Sequence, residues 1–266
     1  PRLIERLMPL RISTGPALPE RVRRASVSAR MSSVIKGFLG AVVSKGYGAI
    51  RAVRNGVAVT FLSVGVVWAD PAVLVVLGDS LTAGYGLENP ADGLVPQLEG
   101  WLKAQGDAVV IQNAGVSGDT TAGGLSRVDW ALGPEADGVI VILGGNDMLR
   151  GVDPAEARAN LDAILTKADE RKLPVLLVAM KAGANFGPEY KADFDGMYGD
   201  LAAAHGAVLV EDFFQGLRAA GADPADPASM AAFMQADGIH PNPEGVKLIV
   251  AGLGPKVQEL LARVGE

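Results

Sequence analysis

Three side chains of this 266-residue chain could together perform acyl transfer to water: Ser80, His240 and Asp237. Ser80 follows a valine-rich apolar run and stands in a glycine-punctuated turn, where an α/β protein can expose a nucleophile. His240 can accept the serine proton because an imidazole titrates near neutral pH. Asp237 lies three residues earlier, close enough for its carboxylate to orient the other ring nitrogen. Nucleophilic acyl transfer requires a nucleophile, a base that takes its proton and a group that orients the base, and these three residues can fill those roles.

Acyl transfer also requires hydrogen-bond donors for the negative charge that develops on the carbonyl oxygen. Two polar, glycine-rich segments, residues 113–120 and 143–147, follow predicted strands. Gly115 can offer a backbone N–H, Asn146 a side-chain amide, and Ser80 its own backbone N–H. We expect these three groups to form an oxyanion hole, in which one donor is typically worth on the order of 3 kcal/mol.

The other ionisable groups nearby have simpler explanations. His205 closes an alanine-rich stretch before a glycine, and a cation is favourable at a helix C-terminus. Asp79 and Asp147 flank the serine and the asparagine, and we expect them to hold the loop backbone rather than to act as acids. A glycosidase would use a pair of carboxylates, which leaves the serine and the histidine without a role.

Short apolar runs alternate with helical patterns, which predicts a parallel sheet covered by helices on both faces. The predicted strands span residues 73–77, 108–112, 138–143, 175–180 and 207–210. The predicted helices span residues 90–105, 121–132, 154–170, 188–205 and 243–263. Ser80, Gly115 and Asn146 follow strands, and His240 precedes the last helix. Because the carboxyl ends of parallel strands meet at one edge of the sheet, we expect these four residues to converge there.

The first 69 residues differ from the rest of the chain. Residues 1–55 contain eleven Lys/Arg and two Asp/Glu, whereas the remainder holds 13 of the 24 basic and 28 of the 30 acidic residues. Met31 is a candidate initiator, followed by scattered positive charge, a short apolar run and small residues up to Ala69. This order is typical of a secretory signal peptide, and the apolar run is shorter than the roughly 20 residues that span a membrane.

We therefore predict an N-terminal extension over residues 1–69, which includes the signal peptide, and a hydrolase domain over residues 70–266. Cleavage after Ala69 would place the mature protein in the periplasm or outside the cell. The alternatives for the apolar run are a buried first strand and an N-terminal anchor.

The composition excludes several kinds of site and partner. Cysteine is absent, which excludes disulfides and thiolate chemistry, and two histidines cannot build a zinc site that needs several. We expect no metal and no cofactor. The acidic body argues against a nucleic-acid partner, because a phosphate backbone requires a basic surface. The content of 49% hydrophobic and 20% charged residues suits one soluble domain, which we expect to be a monomer without a membrane span in its mature form.

Four ordered blocks of the sequence resemble the SGNH/GDSL hydrolase family. They are Gly78-Asp79-Ser80-Leu81, Gly115 within residues 113–120, Gly145-Asn146-Asp147, and residues 237–241 with His240. The surrounding residues are most similar to the bacterial branch of thioesterase I, lysophospholipase and arylesterase. The resemblance covers residues 70–266. The Gly-Asp-Ser-Leu context differs from the Gly-x-Ser-x-Gly elbow, which disfavours the α/β-hydrolase fold.

The resemblance implies a three-layer αβα sandwich of flavodoxin-like type with a parallel five-stranded sheet. It also implies hydrolysis of acyl esters and thioesters by Ser80, His240 and Asp237 through an acyl-enzyme intermediate. In this branch the loop after the fourth strand borders the acyl pocket, so Phe186 is a candidate substrate contact; the alternative is an exposed loop with one anchoring aromatic. Residues 222–230 are expected to be a turn-rich surface insertion without chemistry of its own.

Two other functions stay open at this point. A carbohydrate O-acetylesterase on the same scaffold would differ in its substrate, an acetylated sugar instead of a longer acyl chain. A non-catalytic acyl-binding module would keep the fold but have an unreactive Ser80.

Overall fold

A parallel five-stranded sheet forms the centre of the protein. The computed structural model describes residues 70–223 and 226–265, and the predicted N-terminal extension with its signal peptide lies outside them. The strands are β1 (Ala72–Gly78), β2 (Val109–Gly115), β3 (Gly138–Ile142), β4 (Val175–Val178) and β5 (Val208–Val210). Their order in the sheet is β2-β1-β3-β4-β5, and every neighbouring pair is parallel. This order is that of the flavodoxin-like folds, as predicted.

Helices cover both faces of the sheet. They are α1 (Ser80–Ala83), α2 (Leu94–Gln105), α3 (Thr121–Ala131), α4 (Gly145–Arg150), α5 (Pro154–Glu170), α6 (Pro188–His205), α7 (Gln215–Ala219), α8 (Pro227–Met230) and α9 (Pro243–Leu261). Helices α2 and α9 pack together on one face, and α3, α5 and α6 pack side by side on the other. The predicted three-layer sandwich is confirmed.

The inner strands β1, β3 and β4 are almost entirely apolar because both of their faces are buried, whereas the edge strand β2 contains Gln112 and Asn113. Leu74, Val75, Val76 and Leu77 of β1 have no exposed surface, and all of β3 and β4 is buried. A strand between two helical layers has no polar side, so its sequence is a continuous apolar run rather than an alternation. Within the described part of the chain, no helix has both the length and the apolar character needed to cross a bilayer.

The long helices begin and end where local signals in the sequence place them. Asp153 caps α5 by accepting the Ala155 N–H at 2.9 Å, with Pro154 in the first turn, and α6 ends at Gly206 with a φ of 63°. The predictions for residues 154–170 and 188–205 are confirmed over their full length. The short helices α1, α4, α7 and α8 were not predicted, because four to six residues contain too little periodicity to be recognised.

Candidate active site

Ser80 is the first residue of α1 and lies directly beyond the end of β1. Asp79 caps this helix, since its Oδ1 accepts the Leu81 N–H at 3.0 Å. Asp79 is only 2% exposed, and this burial raises the pKa of its carboxyl above the usual value, although hydrogen bonds from Leu81 and Asn146 oppose the shift. The serine is thus held at the amino end of a short helix by a buried acid.

The glycines at the ends of β1 and β2 make room for α1. A Cβ added at Gly78 would lie 2.0 Å from Oγ1 of the fully buried Thr82. A Cβ added at Gly115 would lie 2.5 Å from the backbone nitrogen of Ala83. Both contacts are shorter than packed atoms tolerate, so the close approach of α1 to the two strands requires glycine at both positions.

The structure brings the three predicted catalytic side chains into one hydrogen-bonded chain. His240 Nε2 lies 2.9 Å from Ser80 Oγ, and His240 Nδ1 lies 2.7 Å from Asp237 Oδ2. A neutral imidazole with its proton on Nδ1 would donate to the carboxylate and accept from the serine hydroxyl. This is the arrangement of a nucleophile, its base and the group that orients the base.

Asp237 is held as a carboxylate by the loop that it begins. Its Oδ1 accepts the backbone N–H groups of Ile239 at 2.9 Å and His240 at 3.0 Å. These bonds, with the side-chain bond from His240, lower the pKa of Asp237 from 3.8 to about 2. The acid therefore stays ionised at any pH at which an imidazole is neutral.

Asn146 lies in the first turn of α4 and faces the same site. Its Nδ2 donates one hydrogen to Asp79 Oδ2 at 3.0 Å, which leaves the second amide hydrogen for a ligand. Asp147, 1% exposed, fixes this helix to the start of α3 by accepting the Thr121 N–H at 2.8 Å and the Thr121 hydroxyl at 2.6 Å. Asp79 and Asp147 thus hold loop groups in place, as expected from the sequence.

The structure does not place Gly115 as the sequence analysis expected. Its N–H donates to Asn113 Oδ1 at 2.9 Å, and the residue is not among those that line the cavity beside Ser80. Gly118, three residues later, does line the cavity and has a φ of +85°, and its N–H has no acceptor among the described residues. The carbonyl of Gly118 accepts from Arg150 Nη2 at 2.8 Å, which ties this loop to the helix of Asn146.

A cavity of about 920 Å³ opens beside Ser80 and His240. Its polar lining includes the side chains of Ser80, Asn146 and His240, and the rest of the wall is dominated by large apolar side chains. The apolar wall comprises Leu81, Met148, Leu149, Met180, Phe214, Met230, Met234 and Ile239. Its volume is at the upper end of the roughly 300–1,000 Å³ of small-molecule sites.

Phe186 lies outside this cavity. Its ring stacks on Tyr190 at a centroid distance of 5.0 Å, so the loop after β4 has an anchoring aromatic, which was the alternative prediction. The aromatic rings that do line the cavity include those of Phe214, just before α7, and Tyr85. The segment 222–230 also differs from expectation, because Met230 at its end is buried and forms part of the cavity wall.

The arrangement supplies the groups that acyl transfer needs and places them at an apolar cavity. A hydroxyl, a base and an orienting carboxylate are joined in a chain, and two candidate oxyanion donors, Gly118 and Asn146, border the same space. In the described part of the chain, no group of three or more His, Asp or Glu side chains has the spacing to hold a metal ion.

Comparison with known proteins gives a consistent result. The sequence profile of the GDSL-like Lipase/Acylhydrolase family matches residues 76–248. The esterase TesA of Pseudomonas aeruginosa is 36% identical over 194 residues, which cover 73% of this chain and 91% of that protein. The thioesterase 1/protease 1/lysophospholipase L1 of Escherichia coli K12 is 32% identical over 189 residues, which cover 71% of this chain and 84% of that protein.

A solved structure is also similar in both sequence and fold. The SGNH-hydrolase family esterase AlinE4 is 41% identical, with a TM-score of 0.57, and the match covers 73% of this chain and 98% of AlinE4. The part of the chain without a counterpart in these matches corresponds in size to the predicted N-terminal extension.

Proposed function

The chain belongs to the GDSL-like lipase/acylhydrolase family, and on this premise we propose that it hydrolyses acyl esters and thioesters through the triad Ser80, His240 and Asp237. The relatives named esterase, arylesterase and thioesterase support ester hydrolysis as the reaction. The observation that carries the triad is the unbroken chain Asp237–His240–Ser80, with distances of 2.7 and 2.9 Å, at the edge of an apolar cavity.

The proposed reaction proceeds through an acyl-enzyme. Ser80 Oγ attacks the substrate carbonyl while His240 Nε2 takes the hydroxyl proton, and the proton then passes to the leaving alcohol or thiol as the bond to it breaks. Water attacks the acyl-serine with His240 again as base, which releases the acid and restores the serine proton. Asp237 holds the imidazole and stabilises its protonated form. The mechanism needs only side chains, backbone and water.

We propose that the oxyanion is bound by the N–H groups of Ser80 and Gly118 and by the Asn146 amide. Gly115, the residue expected from the sequence, has its N–H directed at Asn113, whereas Gly118 lines the cavity and its N–H has no acceptor among the described residues. Donors fixed by the fold stabilise the developing charge because they need no reorganisation during the reaction.

The cavity favours an acyl chain over an acetylated sugar. Its wall beyond the catalytic groups is apolar, and four of its side chains are methionines: Met148, Met180, Met230 and Met234. Methionine is flexible and adapts to ligands of different length. Carbohydrate binding would instead require polar groups arranged for several hydroxyls, and three of the polar side chains of this cavity, Ser80, Asn146 and His240, are already used by the proposed reaction. Phe214 replaces Phe186 as the proposed aromatic contact.

The test is hydrolysis of p-nitrophenyl esters from acetate to palmitate by the full chain and by Ser80→Ala. We expect an optimum beyond acetate, because the cavity has room for more than two carbons, and loss of turnover in the variant. An optimum at acetate, with activity on acetylated sugars, would support the O-acetylesterase instead. A folded wild type without activity on any ester or thioester would support the acyl-binding module.

The cellular location rests on the sequence of residues 1–69. We propose export, followed by removal of this segment, because the segment has the order of charge, apolar run and small residues of a signal peptide. N-terminal sequencing of the protein from the periplasm would find Asp70, and a cytoplasmic protein that retains residues before 70 would contradict export. The monomeric state and the lack of a nucleic-acid partner stay predictions.

A further inference from the structure

Ser80 and His240 come from loops far apart in the sequence, and one side chain is bonded to both loops. Gln235 Nε2 donates to the Tyr85 carbonyl at 2.8 Å and to the Pro241 carbonyl at 3.0 Å. Tyr85 lies five residues after the serine, and Pro241 directly follows the histidine. A single amide group therefore connects the nucleophile loop to the base loop, across 150 residues of sequence.

The backbone of Gln235 also closes the loop of the base. Its N–H donates to the His240 carbonyl at 2.8 Å, and its carbonyl accepts the Gly238 N–H at 3.0 Å. The neighbouring Met234 pairs with Pro241 in an antiparallel bridge. These bonds fix both ends of the segment that carries the imidazole.

Gly86 leaves room for the Gln235 amide because it has no side chain. A Cβ added at Gly86 would lie 2.1 Å from Gln235 Oε1, and this glycine has a φ of +74°. A side chain at position 86 would collide with the amide, and the positive φ is a backbone conformation that favours glycine. The contact therefore depends on Gly86 as well as on the Gln235 amide.

Tyr85 transmits this contact to the catalytic ring. Its N–H donates to the Ser80 carbonyl at 3.1 Å, and its ring lies 4.7 Å from the His240 ring, centroid to centroid, at an interplanar angle of 40°. The tyrosine is 54% exposed, so few contacts other than these hold its ring in place. Release of its carbonyl from Gln235 would free the ring that limits the movement of the imidazole.

We propose that Gln235 is a positioning residue for the reaction: it sets the place of the His240 imidazole relative to Ser80 Oγ by holding Tyr85 and Pro241. The inference rests on the proposed function. Gln235 donates both of its amide hydrogens to backbone carbonyls and bonds to neither reacting side chain, so it acts through the residues it holds.

The decisive variant is Gln235→Met, which keeps the length of the side chain and removes both donors. We expect kcat on a p-nitrophenyl ester to fall by about 10²-fold, the size that a misplacement of roughly 1 Å can produce. KM should change much less, because the cavity wall keeps its volume and apolar character. Loss of alignment with retained ground-state binding lowers kcat and kcat/KM together.

Gln215→Met is the matched control. Gln215 Nε2 also donates to a distant backbone carbonyl, that of Gly252 at 2.7 Å, but it lies outside the cavity. We expect its urea midpoint to fall about as much as that of Gln235→Met, while its kcat stays at the wild-type value. A purely structural role for Gln235 predicts equal kinetics for the two variants.

A double-mutant cycle with Tyr85→Ala tests the route of the effect. If Gln235 acts largely through Tyr85, the double variant should be little slower than the slower single variant, because the second change removes a contact already lost. Full additivity of the two effects on kcat, or a Gln235→Met variant with wild-type kcat, would overturn the inference while leaving the triad intact. A folded but inactive wild type would overturn the proposed function as well.

Discussion

The two histidines of the chain each have an aspartate beside Nδ1, but the groups beside Nε2 differ. In both, Nδ1 lies within hydrogen-bond distance of an aspartate: His240 with Asp237 at 2.7 Å and His205 with Asp169 at 2.6 Å. The second nitrogen of His240 faces the Ser80 hydroxyl, whereas that of His205 faces a second carboxylate, Asp162, at 2.9 Å. The group beside the second ring nitrogen therefore separates the proposed base, His240, from the ion-paired His205.

A hydroxyl on the second nitrogen leaves a proton that can move, whereas a second carboxylate fixes the charged form. His205 is the last residue of α6, and both of its aspartates lie on the neighbouring helix α5. Burial alone would lower its pKa, but the hydrogen bonds and charges of Asp169 and Asp162 outweigh it and raise the pKa of His205 above the usual value. The imidazolium therefore joins two helices and has no lone pair to offer.

The largest expected contrast is kinetic. We expect His240→Gln to lower kcat on an ester substrate by on the order of 10⁶-fold, because removing the base disables the triad as a unit. His205→Gln should leave kcat unchanged, since His205 lies on helices away from the cavity. Steady-state kinetics of both purified variants would check this. Comparable losses of turnover in the two would remove the distinction between the sites.

A smaller effect is expected when only the aspartate beside His240 Nδ1 is changed. Asp237→Asn should keep the fold but lower kcat by about 10⁴-fold, because the amide no longer selects the correct tautomer or stabilises the imidazolium. In the wild type, Asp237 with a pKa of about 2 stays ionised, so kcat/KM should show no ionisation of this carboxylate between pH 5 and 8. Near-wild-type turnover by a folded Asp237→Asn variant in steady-state kinetics would remove Asp237 from the proposed triad.

The smallest effect concerns stability and has the opposite pH dependence from activity. Because the pKa of His205 is raised in the folded state, its ion pairs stabilise the protein fully below the unfolded value of 6.5 and are lost as pH rises through the folded value. His205→Gln should lower the free energy of unfolding by about 1 kcal/mol at pH 5.5, a modest amount because both aspartates are half-exposed.

Urea unfolding of the wild type and His205→Gln at pH 5.5 and pH 9 would check this prediction. The difference between the two proteins should shrink at pH 9, because the His205 imidazole loses its charge as the pH rises through its folded pKa. A difference that is equal at both pH values would mean that His205 stabilises the helices by packing alone.

The layers of the fold and the contacts among Ser80, His240 and Asp237 were predictable because their signals are local or strongly ordered. Buried strands contain unbroken apolar runs, and α5 begins with Asp153 and Pro154, whose roles depend only on adjacent residues. His240 and Asp237 share one loop, so their contact also needed little knowledge of the rest of the chain. The position of His205 at a helix end was likewise visible, but its partners on α5 were not.

The details of the cavity depend on contacts that no short stretch reveals. Gly115 and Gly118 are three residues apart, and only the loop conformation decides which N–H is left for a ligand. Phe214 and Met230 reach the cavity through the path of the chain after β5, which has no periodic pattern. Gln235 was not singled out by any signal in the sequence, because its bonds go to backbone carbonyls, which every residue has.

The tight corner where α1 meets β1 and β2 determines where this protein can be made more stable without harm. At Gly100, Gly196 and Gly199, inside long helices, an added methyl group meets nothing within 4 Å, and alanine there should stabilise each helix by about 0.5–1 kcal/mol. The same substitution at Gly78 or Gly115 would push against α1, whose first residue is the proposed nucleophile. Thermostability and turnover can therefore be engineered separately in the outer layers, but at this corner they depend on the same few atoms.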